Sequence, residues 1–501
     1  MNQIKLPYAE RIGTATRTFL SRPHRLLIDG DWVAAQSGGT FQTFDPGTGL
    51  LLATVAEARE EDVDAAVAAA RKAFDHGPWS AMKPAERARI LMRLADLIEA
   101  NADELAELET LDNGMPLSFA RHIFVPGAVE QFRYFAGWCT KIGGQSIELS
   151  LPGDWHAYTV REPVGVVAQI VAWNVPLLMA ALKSAPALAA GCTVILKPAE
   201  ETPLSALRLG ELALEAGLPP GVLNILTGDG EHCGAHLSAH PDVDKISFTG
   251  STEVGRLIVK ASAGNLKKVS LELGGKSPVI VFPDADIEAA IAGAANAIFF
   301  NSGQVCAAGS RLLVHQKVYE QVLEGVANIA KTLKIGHGLE ADSLIGPLIS
   351  AQQLQRVTGY MQAGAHEGAK VLAGGGRLGE AGFFVQPTVL GNTRPDMSVV
   401  REEIFGPVVS AMSFDDGDLQ RIAREANNTP YGLAASIWTR DISIAHKLAR
   451  KVRAGTVWLN SHNYLDPALP WGGFKQSGWG REMGLSAIEA YTEVKSIAAL
   501  L

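Results

Sequence analysis

The sequence predicts an α/β protein whose domains are each built on a largely parallel sheet with helices on both faces. From residue 164 onward, short apolar runs rich in β-branched residues alternate strictly with helix-like segments, a pattern typical of parallel sheets buried on both faces. The alternation occurs over 164–274 and again over 275–474. The chain has 501 residues, more than one hydrophobic core usually serves, so two or three domains are expected.

Composition narrows the class of function. Hydrophobic residues make up 47% of the chain and charged residues 19%, with 51 glycines, which fits a globular protein and gives no case for disorder. The net charge of -9 argues against nucleic acid and anionic membranes as partners, because phosphate binding needs clustered Lys and Arg. The apolar run 175–190 contains two prolines and a lysine, too many interruptions for a membrane span. Small molecules are therefore the expected partners.

Cysteine usage and the N-terminal segment predict a cytoplasmic protein. The chain has 4 cysteines, which lie far apart with no C-x-x-C motif and no nearby histidine pair. Neither a disulfide framework nor a zinc site is indicated, so no metal is expected. Residues 1–25 lack the apolar core of a signal peptide and read as an unprocessed polar arm.

The segments before the first alternation predict small strands and packing helices. Residues 26–56 alternate short apolar runs with turn signals such as Asp29-Gly30, which predicts short strands at a domain edge. Apolar residues at three- and four-residue spacing predict helices over 62–74, 84–101 and 103–111, and Pro84 suits a first helical turn.

Each alternating region then predicts its own series of strands. In the first region the expected strands are 164–171, 193–196, 222–226, 245–248 and 269–273, with helices from residues 176, 203 and 252 and near 232. In the second region they are 279–282, 312–314, 408–412, 434–438 and 456–459, with helices over 286–300 and 318–333.

Two further strand-like stretches that neither domain needs are 145–160 and 490–499. Projecting strands pair with another chain or aggregate, so these favour an oligomer.

Polar or glycine residues follow every strand of the first region. Open parallel sheets bind ligands at the carboxyl ends of their strands, so a binding cleft is expected there. Gly230 and Gly250 lie in two of these turns, where glycine lets a diphosphate approach backbone amides at a helix N-terminus. Each glycine could equally serve only a tight turn between strand and helix.

Cys306 is the candidate nucleophile. It follows the small residues Ser302 and Gly303, which leave room for a substrate. A cysteine reacts as its thiolate, so this thiol needs electropositive or hydrogen-bonding surroundings. The alternative is that Cys306 is only a small buried hydrophobic residue.

Polar residues near the predicted strand ends are further candidates. Glu272 lies between an apolar strand and two glycines, where it could be a desolvated general base or an ion-paired group. Asn174 could donate to an oxyanion or cap the next helix. Glu200 could accept from ribose hydroxyls and repel a 2'-phosphate, which favours NAD over NADP. Lys197 could donate to the same ribose, although either residue could be a solvated charge.

The order of these residues along the chain resembles the aldehyde dehydrogenase superfamily over about residues 26–495. The matching motifs are Trp173-Asn174, Lys197-Pro198-Ala199-Glu200, Phe248-Thr249-Gly250-Ser251-Thr252, Leu271 to Pro278, Gly303 to Cys306, Glu402 to Pro407 and Pro470 to Lys475. Together these motifs are highly specific. One departure is Ala172, where many members have proline; the Asn174 amide that follows is retained.

The resemblance implies an aldehyde dehydrogenase-like fold with two doubly wound, Rossmann-like α/β domains and a small β arm that builds dimers or tetramers. Residues 1–140 and 162–274 would form the NAD-binding domain, and residues 275–474 the catalytic domain. Residues 141–161 and 475–501 would be the oligomerisation or bridging segments.

The resemblance also implies NAD-dependent oxidation of an aldehyde to the acid through a thioester. Cys306 would be the nucleophile, Glu272 the base, and Asn174 with the backbone N–H of Cys306 the oxyanion hole. The implied cofactor-binding residues are Trp173, Lys197, Glu200, Gly230, Gly250, Ser251, Leu273, Glu403 and Phe405. The implied substrate tunnel is lined by Val175, Met179, Leu182, Phe300, Val305, Leu465 and Trp471.

The implied tunnel is apolar and has no Arg or Lys for a charged substrate, which favours an uncharged, hydrophobic aldehyde. Val175, Leu182 and Leu465 are smaller than the aromatic residues of some relatives and leave space for a ring. The segments 175–179 and 466–474 look like the bacterial phenylacetaldehyde dehydrogenase branch of the family. An aryl-acetaldehyde such as phenylacetaldehyde is therefore the expected substrate.

Three other interpretations stay open on the sequence. The enzyme could act on aliphatic or betaine-type aldehydes. The fold could serve a non-catalytic binding or structural protein, although such a copy would be expected to lose Cys306 or Glu272. A thiol hydrolase acting without NAD would leave Lys197, Glu200 and Glu403 unexplained.

Overall fold

Two large sheets organise the computed structural model, which describes residues 8–415 and 417–501. Residues 1–7 of the predicted polar arm and first domain lie outside the described residues. The strands are β1 (Leu26–Ile28), β2 (Asp31–Val33), β3 (Thr40–Phe44), β4 (Leu51–Ala56), β5 (Ser146–Ile147), β6 (Trp155–Pro163), β7 (Val166–Ile170), β8 (Thr193–Lys197), β9 (Leu223–Ile225), β10 (Lys245–Thr249), β11 (Lys268–Glu272), β12 (Pro278–Val281), β13 (Arg311–His315), β14 (Lys370–Ala373), β15 (Thr388–Gly391), β16 (Val408–Phe414), β17 (Ala434–Trp438), β18 (Thr456–Leu459), β19 (Gly478–Trp479) and β20 (Thr492–Leu500).

The helices cover both large sheets. They are α1 (Thr14–Leu20), α2 (Glu60–Asp75), α3 (Pro78–Ala81), α4 (Pro84–Ala100), α5 (Ala102–Asn113), α6 (Leu117–Phe119), α7 (Val125–Ala136), α8 (Pro176–Ala190), α9 (Leu204–Glu215), α10 (Ala235–Ala239), α11 (Thr252–Ser262), α12 (Ile287–Phe299), α13 (Tyr319–Thr332), α14 (Ala351–His366), α15 (Ser398–Arg401), α16 (Leu419–Ala426), α17 (Ile442–Ala449) and α18 (Gly484–Ala490). Within the described ranges, none of them is long and apolar enough to cross a bilayer.

The first sheet has the strand order β19-β11-β10-β7-β8-β9-β1-β2. The five central strands of this sheet are parallel to one another, namely β11, β10, β7, β8 and β9. The chain runs from β7 through β8 to β9 on one side and then returns to place β10 on the other side of β7. Such a reversal opens a crevice at the carboxyl ends of the two strands that flank it. The predicted doubly wound sheet is confirmed, and its crevice lies between β7 and β10.

Helix α8 shows how the local sequence sets this geometry. Pro176 occupies the first turn, where its fixed backbone angle suits a helix and its missing N–H costs nothing. Gly191 ends the helix with a φ of 98°, a left-handed conformation that glycine adopts without strain. Between them, almost every side chain is buried, because the helix is sandwiched between the sheet and neighbouring helices. The residues just before Pro176 are thereby held at the crevice.

The second sheet has the order β14-β15-β16-β13-β12-β17-β18, and all of its strands except β14 are parallel. Every residue of β12 and β13 is buried, as expected for central strands covered on both faces. The loop that carries Cys306 connects α12 to β13. The second α/β unit predicted from the sequence is therefore confirmed.

The two strand-like stretches outside these units pair with each other. Strand β20 runs antiparallel to β6 over nine residue pairs, from Thr492 opposite Pro163 to Leu500 opposite Trp155, and β5 adds to the far side of β6. The small β arm is confirmed as a three-stranded sheet within one chain. Both edges of this sheet remain open to another chain, so its part in an oligomer stays a prediction.

Candidate active site

The three candidate catalytic residues come from different elements and meet in one cleft. Asn174 precedes α8, Glu272 ends β11, and Cys306 lies in the loop before β13. All three line a cavity of about 370 Å³ at the crevice of the first sheet. Six of the residues predicted to bind the cofactor line the same cavity, namely Trp173, Gly250, Ser251, Leu273, Glu403 and Phe405. Residues that are far apart in the sequence are thus brought together by the two sheets.

A tight turn presents Cys306 to this cleft. Asn301, Ser302 and Gly303 have φ angles of 49°, 55° and 68°, a left-handed run that ordinary residues rarely adopt. A Cβ on Gly303 would come within 2.2 Å of the Gly406 carbonyl oxygen, so only glycine fits there. Asn301 Nδ2 donates to the backbone oxygen of Asn174 at 2.9 Å. This hydrogen bond ties the cysteine loop to the segment that carries the candidate oxyanion donor.

Hydrogen bonds hold the side chain and backbone of Asn174 in the cleft. Its side chain is buried, and Nδ2 donates to the carbonyl oxygen of Gln304 at 3.0 Å. An amide nitrogen carries two N–H groups, so one remains for a ligand. Asn113 Nδ2 donates to the carbonyl oxygen of Trp173 at 2.8 Å, which fixes the backbone on the other side. The side chain therefore acts as a positioned donor beside Cys306.

Glu272 is buried with only 4% of its surface exposed, and its Oε2 atom has no hydrogen-bond partner within the described residues. Burial raises the pKa of this carboxyl well above its ordinary value, and the Glu482 carboxylate adds to the effect, while Lys183 and Arg481 oppose it. A raised pKa is what a general base near neutral pH requires. The interpretation of Glu272 as a desolvated base fits the structure better than that of an ion-paired group.

The surroundings of the Cys306 thiol are hydrogen-bonding and acidic. The thiol is half-buried, and burial together with the carboxylates of Glu272 and Glu403 raises its pKa to about 12. Of the two kinds of surroundings expected from the sequence, electropositive or hydrogen-bonding, the described residues provide the second. Backbone N–H groups of Cys306 and Ala307 favour the thiolate only in part. The physical reason is that two acidic groups needed for other tasks share the same small cavity.

The far side of the cleft has the shape of a nicotinamide ribose site. Glu403 Oε1 accepts a hydrogen bond from the Gly275 N–H at 2.9 Å, and burial raises its pKa to about 7. A Cβ on Gly274 would lie 2.2 Å from Glu403 Oε2, so glycine is required for this approach. The ring of Phe405 stands perpendicular to that of Trp173 with centroids 5.2 Å apart. Aromatic walls and a carboxylate acceptor fit the nicotinamide end of NAD.

The turn after β10 presents backbone N–H groups to the cleft. Ser251 caps α11, and its Oγ accepts from the Val254 N–H at 3.2 Å. An 11-residue helix begins there, and the free N–H groups of its first turn favour an anion such as a diphosphate. The residues predicted to hold the diphosphate therefore fit that group.

The candidate ribose residues continue the cleft in the other direction. Lys197 is buried, and its Nζ donates to the Pro198 oxygen at 3.2 Å and to Glu200 Oε2 at 3.4 Å. Glu200 lines a second cavity of about 410 Å³, which shares Glu201, Ile349 and Ser350 with the first. A Cβ on Gly230 would meet no atom within 4 Å. The two cavities thus adjoin, and Glu200 lines the second of them, whereas Lys197 and Gly230 line neither.

Comparison with known proteins decides the family. The sequence pattern of the aldehyde dehydrogenase family matches residues 32–497. The chain belongs to the aldehyde dehydrogenase family. It is 52% identical over 480 residues, 96% of each chain, to DhaS of Bacillus subtilis, which carries only the general name of an aldehyde dehydrogenase. It is 51% identical over 484 residues to the phenylacetaldehyde dehydrogenase of Pseudomonas fluorescens, covering 95% of this chain and 96% of the other.

A solved structure supports the same assignment. The NAD+ complex of the aldehyde dehydrogenase from Bacillus cereus superposes with a TM-score of 0.96 at 49% identity, covering 100% of both chains. The aldehyde dehydrogenase-like fold predicted from the sequence is therefore confirmed.

Sequence reasoning missed a buried ion pair in this aldehyde dehydrogenase. Lys183, in the middle of α8, pairs with Glu482, and both side chains are almost fully buried. Ser247 Oγ lies 3.0 Å from Lys183 Nζ and 3.0 Å from Glu482 Oε1. Because Glu482 and Lys183 both act on the pKa of Glu272, they belong to the catalytic surroundings. A single lysine within an otherwise apolar helix was the available signal.

None of the seven predicted tunnel residues lines the cavity that holds Cys306, and six of them fall into two apolar clusters. Leu182, Val305 and Trp471 pack in one apolar cluster with Cys306. Val175, Met179 and Phe300 pack in another cluster of the same protein.

The remaining tunnel residue, Leu465, is 49% exposed. Leu465 therefore lies at the surface, next to Tyr464, whose backbone oxygen accepts from Trp458 Nε1 at 3.0 Å.

Two aromatic residues beside the tunnel were not foreseen. Phe300 stacks on Phe119 with centroids 5.1 Å apart, and Phe124 lies 5.7 Å from the same ring. Both belong to the short helical segment between α5 and α7, which has no strong motif in the sequence. Together with Phe300 they form a cluster of three aromatic rings packed on the core of the first domain.

Proposed function

We propose that this aldehyde dehydrogenase oxidises an uncharged, hydrophobic aldehyde, above all an aryl-acetaldehyde such as phenylacetaldehyde, to the carboxylic acid. NAD is its cofactor and supplies the hydride acceptor when bound. The observation that carries the substrate class is the cluster of Phe119, Phe124 and Phe300, because aromatic side chains favour a ring by edge and face contacts worth about 1 kcal/mol each.

The chain's own groups account for the chemistry. Cys306 Sγ releases its proton to solvent water and the thiolate adds to the aldehyde carbon, while Asn174 Nδ2 and the Cys306 N–H stabilise the oxygen that becomes negative. Removing one such donor costs roughly 3 kcal/mol in other enzymes. After oxidation the substrate is held as a thioester on Cys306. Glu272 then takes a proton from water, and the resulting hydroxide releases the acid and the thiol.

Glu200 supports the choice of NAD over NADP. Its carboxylate is the partner of Lys197 Nζ at 3.4 Å and is 46% exposed in the second cavity. A carboxylate at this position accepts from ribose hydroxyls and repels a 2'-phosphate. Asp229 and Glu57 line the same cavity but both pair with Arg59, so Glu200 is the carboxylate to which we assign the repulsion of the phosphate.

The likeness to known proteins leaves the substrate open, since DhaS carries a general name and the Pseudomonas fluorescens relative is named for phenylacetaldehyde. The apolar character of the predicted tunnel favours uncharged substrates. Aliphatic and betaine-type aldehydes are the competing classes. An aliphatic chain would bury apolar surface against Phe119, Phe124 and Phe300 but would not gain the edge and face contacts that a ring makes with aromatic side chains.

A panel of aldehydes tests this proposal. Phenylacetaldehyde, benzaldehyde, hexanal, betaine aldehyde and succinic semialdehyde are compared by kcat/KM from NADH fluorescence. We expect phenylacetaldehyde to give the highest value and Phe119→Leu to lower its ratio to hexanal roughly two- to tenfold. The control Phe74→Leu changes a ring on α2 beneath Arg71 and should leave the ratio unchanged. A higher kcat/KM for hexanal or betaine aldehyde would contradict the proposal.

We further propose that the enzyme works in the cytoplasm as a homo-oligomer, a dimer or tetramer, with the domain division predicted from the sequence. All four cysteines are free in the structure, which suits a reducing compartment. The β arm exposes Ile147, Val494 and Leu500, and exposed apolar side chains on an open sheet edge favour pairing with another copy. Light scattering after gel filtration measures the mass, and a monomer at micromolar concentration would contradict the oligomer.

A further inference from the structure

A cluster of two histidines and one aspartate lies outside the active site. Asp64 is on α2, His236 is on α10, and His240 follows the end of α10. Asp64 Oδ1 lies 2.7 Å from His236 Nε2 and 3.3 Å from His240 Nε2. All three donor atoms lie within 4.8 Å of one another. Both imidazoles thus point at the same carboxylate oxygen from one side.

These separations match a metal site. Two ligands of a tetrahedral zinc ion, each about 2.1 Å from it, are roughly 3.4 Å apart. The spacing of four residues between His236 and His240 places both rings on one face of a helical turn, and the rings are perpendicular with centroids 5.8 Å apart. Small rotations of the side chains would bring the three atoms to equal distances from one ion.

We propose that Asp64, His236 and His240 bind one divalent transition-metal ion, for which Zn²⁺ is the best match, and so link α2 to α10. Two imidazole nitrogens and one carboxylate oxygen suit zinc and its neighbours in the transition series, whereas Mg²⁺ and Ca²⁺ prefer oxygen ligands. Water would complete the coordination. No metal was expected from the sequence because that prediction rested on the spacing of the cysteines, whereas Asp64 lies 172 positions before His236 and gives no local motif.

The charges around the cluster favour binding on balance. Asp64 and Asp242 are negative, while Lys267 is the positive group that acts on His240; its Nζ donates to the His240 carbonyl oxygen at 2.7 Å.

Binding has an identifiable cost. His240 Nδ1 accepts from the Asp242 N–H at 3.1 Å, so the ring proton of neutral His240 is on Nε2. A metal at Nε2 displaces that proton to Nδ1 and breaks this exposed hydrogen bond. Such a bond contributes about 1 kcal/mol. The bonds from the ion to two imidazoles and a carboxylate offset that loss, and the Asp242 N–H then donates to water.

The site would stabilise the protein without taking part in catalysis. None of the three residues lines the cavity that holds Cys306 or the one that holds Glu200. Helix α10 follows the turn that begins at Asp229 and Gly230, and a bound ion would fix this segment to α2. A ligand that binds only the folded state raises the midpoint of unfolding. The readout is therefore metal affinity and thermal stability, both independent of the proposed substrate.

Calorimetric titration with ZnCl₂ tests the proposal. The protein is untagged, treated with EDTA and dialysed, and carries Cys306→Ala so that the active-site thiol cannot bind zinc. We expect one ion per chain, and Asp64→Asn, His236→Asn and His240→Asn should each weaken binding at least about tenfold. ZnCl₂ should raise the Tm of the parent but not of these variants.

A matched control keeps the test sharp. His232→Asn removes an exposed histidine whose Nδ1 lies 2.7 Å from Asp229 but which is not part of the cluster, and it should leave zinc affinity unchanged. The Tm of each variant in EDTA shows that it is folded, and a variant that fails this check is replaced by the Gln or Ala substitution. Equal affinity in parent and triple variant, or no binding to the parent at about 1 mM zinc, would overturn the proposal.

Discussion

The buried carboxyl of Glu482 raises the pKa of Glu272, while Lys183, which is paired with Glu482, lowers it. The pKa of the candidate base is therefore set in part by the ion pair of Lys183 and Glu482, which does not itself line the cleft. Burial contributes the largest part of the shift. The state of Glu272 depends on residues from α8 and from the loop before α18, which only the folded chain brings together.

Replacing Glu482 should move the pH dependence of turnover. In Glu482→Gln a negative charge is lost and Lys183 remains, so the pKa of Glu272 falls. The base is then ionised at lower pH, and the rising limb of kcat against pH should shift down by roughly one unit. Steady-state rates between about pH 5.5 and 9.5 measure this. The control Glu489→Gln, which alters an exposed pair with Arg161, should leave the profile in place; an unmoved profile in Glu482→Gln would contradict the coupling.

Glu272→Gln should slow release of the acid more than formation of NADH. Glutamine cannot accept a proton from water, whereas Cys306 and Asn174 are unaffected. We expect a rapid burst of NADH of about one equivalent per site, followed by turnover reduced at least about a hundredfold. Stopped-flow fluorescence measures both phases. Loss of the burst would place Glu272 before hydride transfer.

Replacing Glu200 should relax the cofactor preference. Glu200→Ser removes the carboxylate that repels a 2'-phosphate, so the ratio of kcat/KM for NADP to that for NAD should rise at least about tenfold. The control Glu215→Ser removes an exposed carboxylate at the end of α9 that lines neither cavity and should leave the ratio unchanged. An unchanged ratio in Glu200→Ser would remove its assigned role.

The buried carboxyl of Glu109 should make the protein less stable as pH rises. Burial raises its pKa to about 7, although Oε1 accepts from the Leu177 N–H at 3.1 Å. When the pH lies between the pKa of this carboxyl in the unfolded chain and its higher pKa in the folded chain, Glu109 is ionised in the unfolded chain but protonated in the folded chain. Stability therefore falls from about pH 4.5 to pH 7, by up to about 3 kcal/mol, and then levels off.

Glu109→Gln carries no such proton and isolates this contribution. Below about pH 4.5 the two proteins should differ little, and above pH 7 the variant should have the higher Tm. Thermal unfolding across this range measures the difference. A difference in Tm that does not change with pH would contradict the raised pKa.

Much of the fold could be predicted because its signals are local. The central strands β8, β10 and β13 are short apolar runs bounded by turn residues, and the structure places each within a residue or two of its predicted range. Cys306, Glu272 and Asn174 were also predicted to meet, and they line one cavity.

The remainder depends on tertiary packing, which no local pattern reports. The sequence does not distinguish Lys183 and Glu482 from ordinary surface charges. Each can be buried only because it pairs with the other, and the two residues are far apart in the sequence. The pairing of β20 with β6 had no register signal in their polar alternation. The acidic surroundings of Cys306 come from Glu272 and Glu403, which are distant from it in the sequence.

The central claim is that the Cys306 sulfur forms the bond to the aldehyde, and rapid mixing of Cys306→Ala with NAD and phenylacetaldehyde tests it most directly. We expect no NADH burst and no sustained turnover, with NAD affinity within about twofold of the parent by calorimetry. The control Cys139→Ala removes a buried thiol outside the cleft and should retain the full burst. A stoichiometric burst in Cys306→Ala would contradict the account.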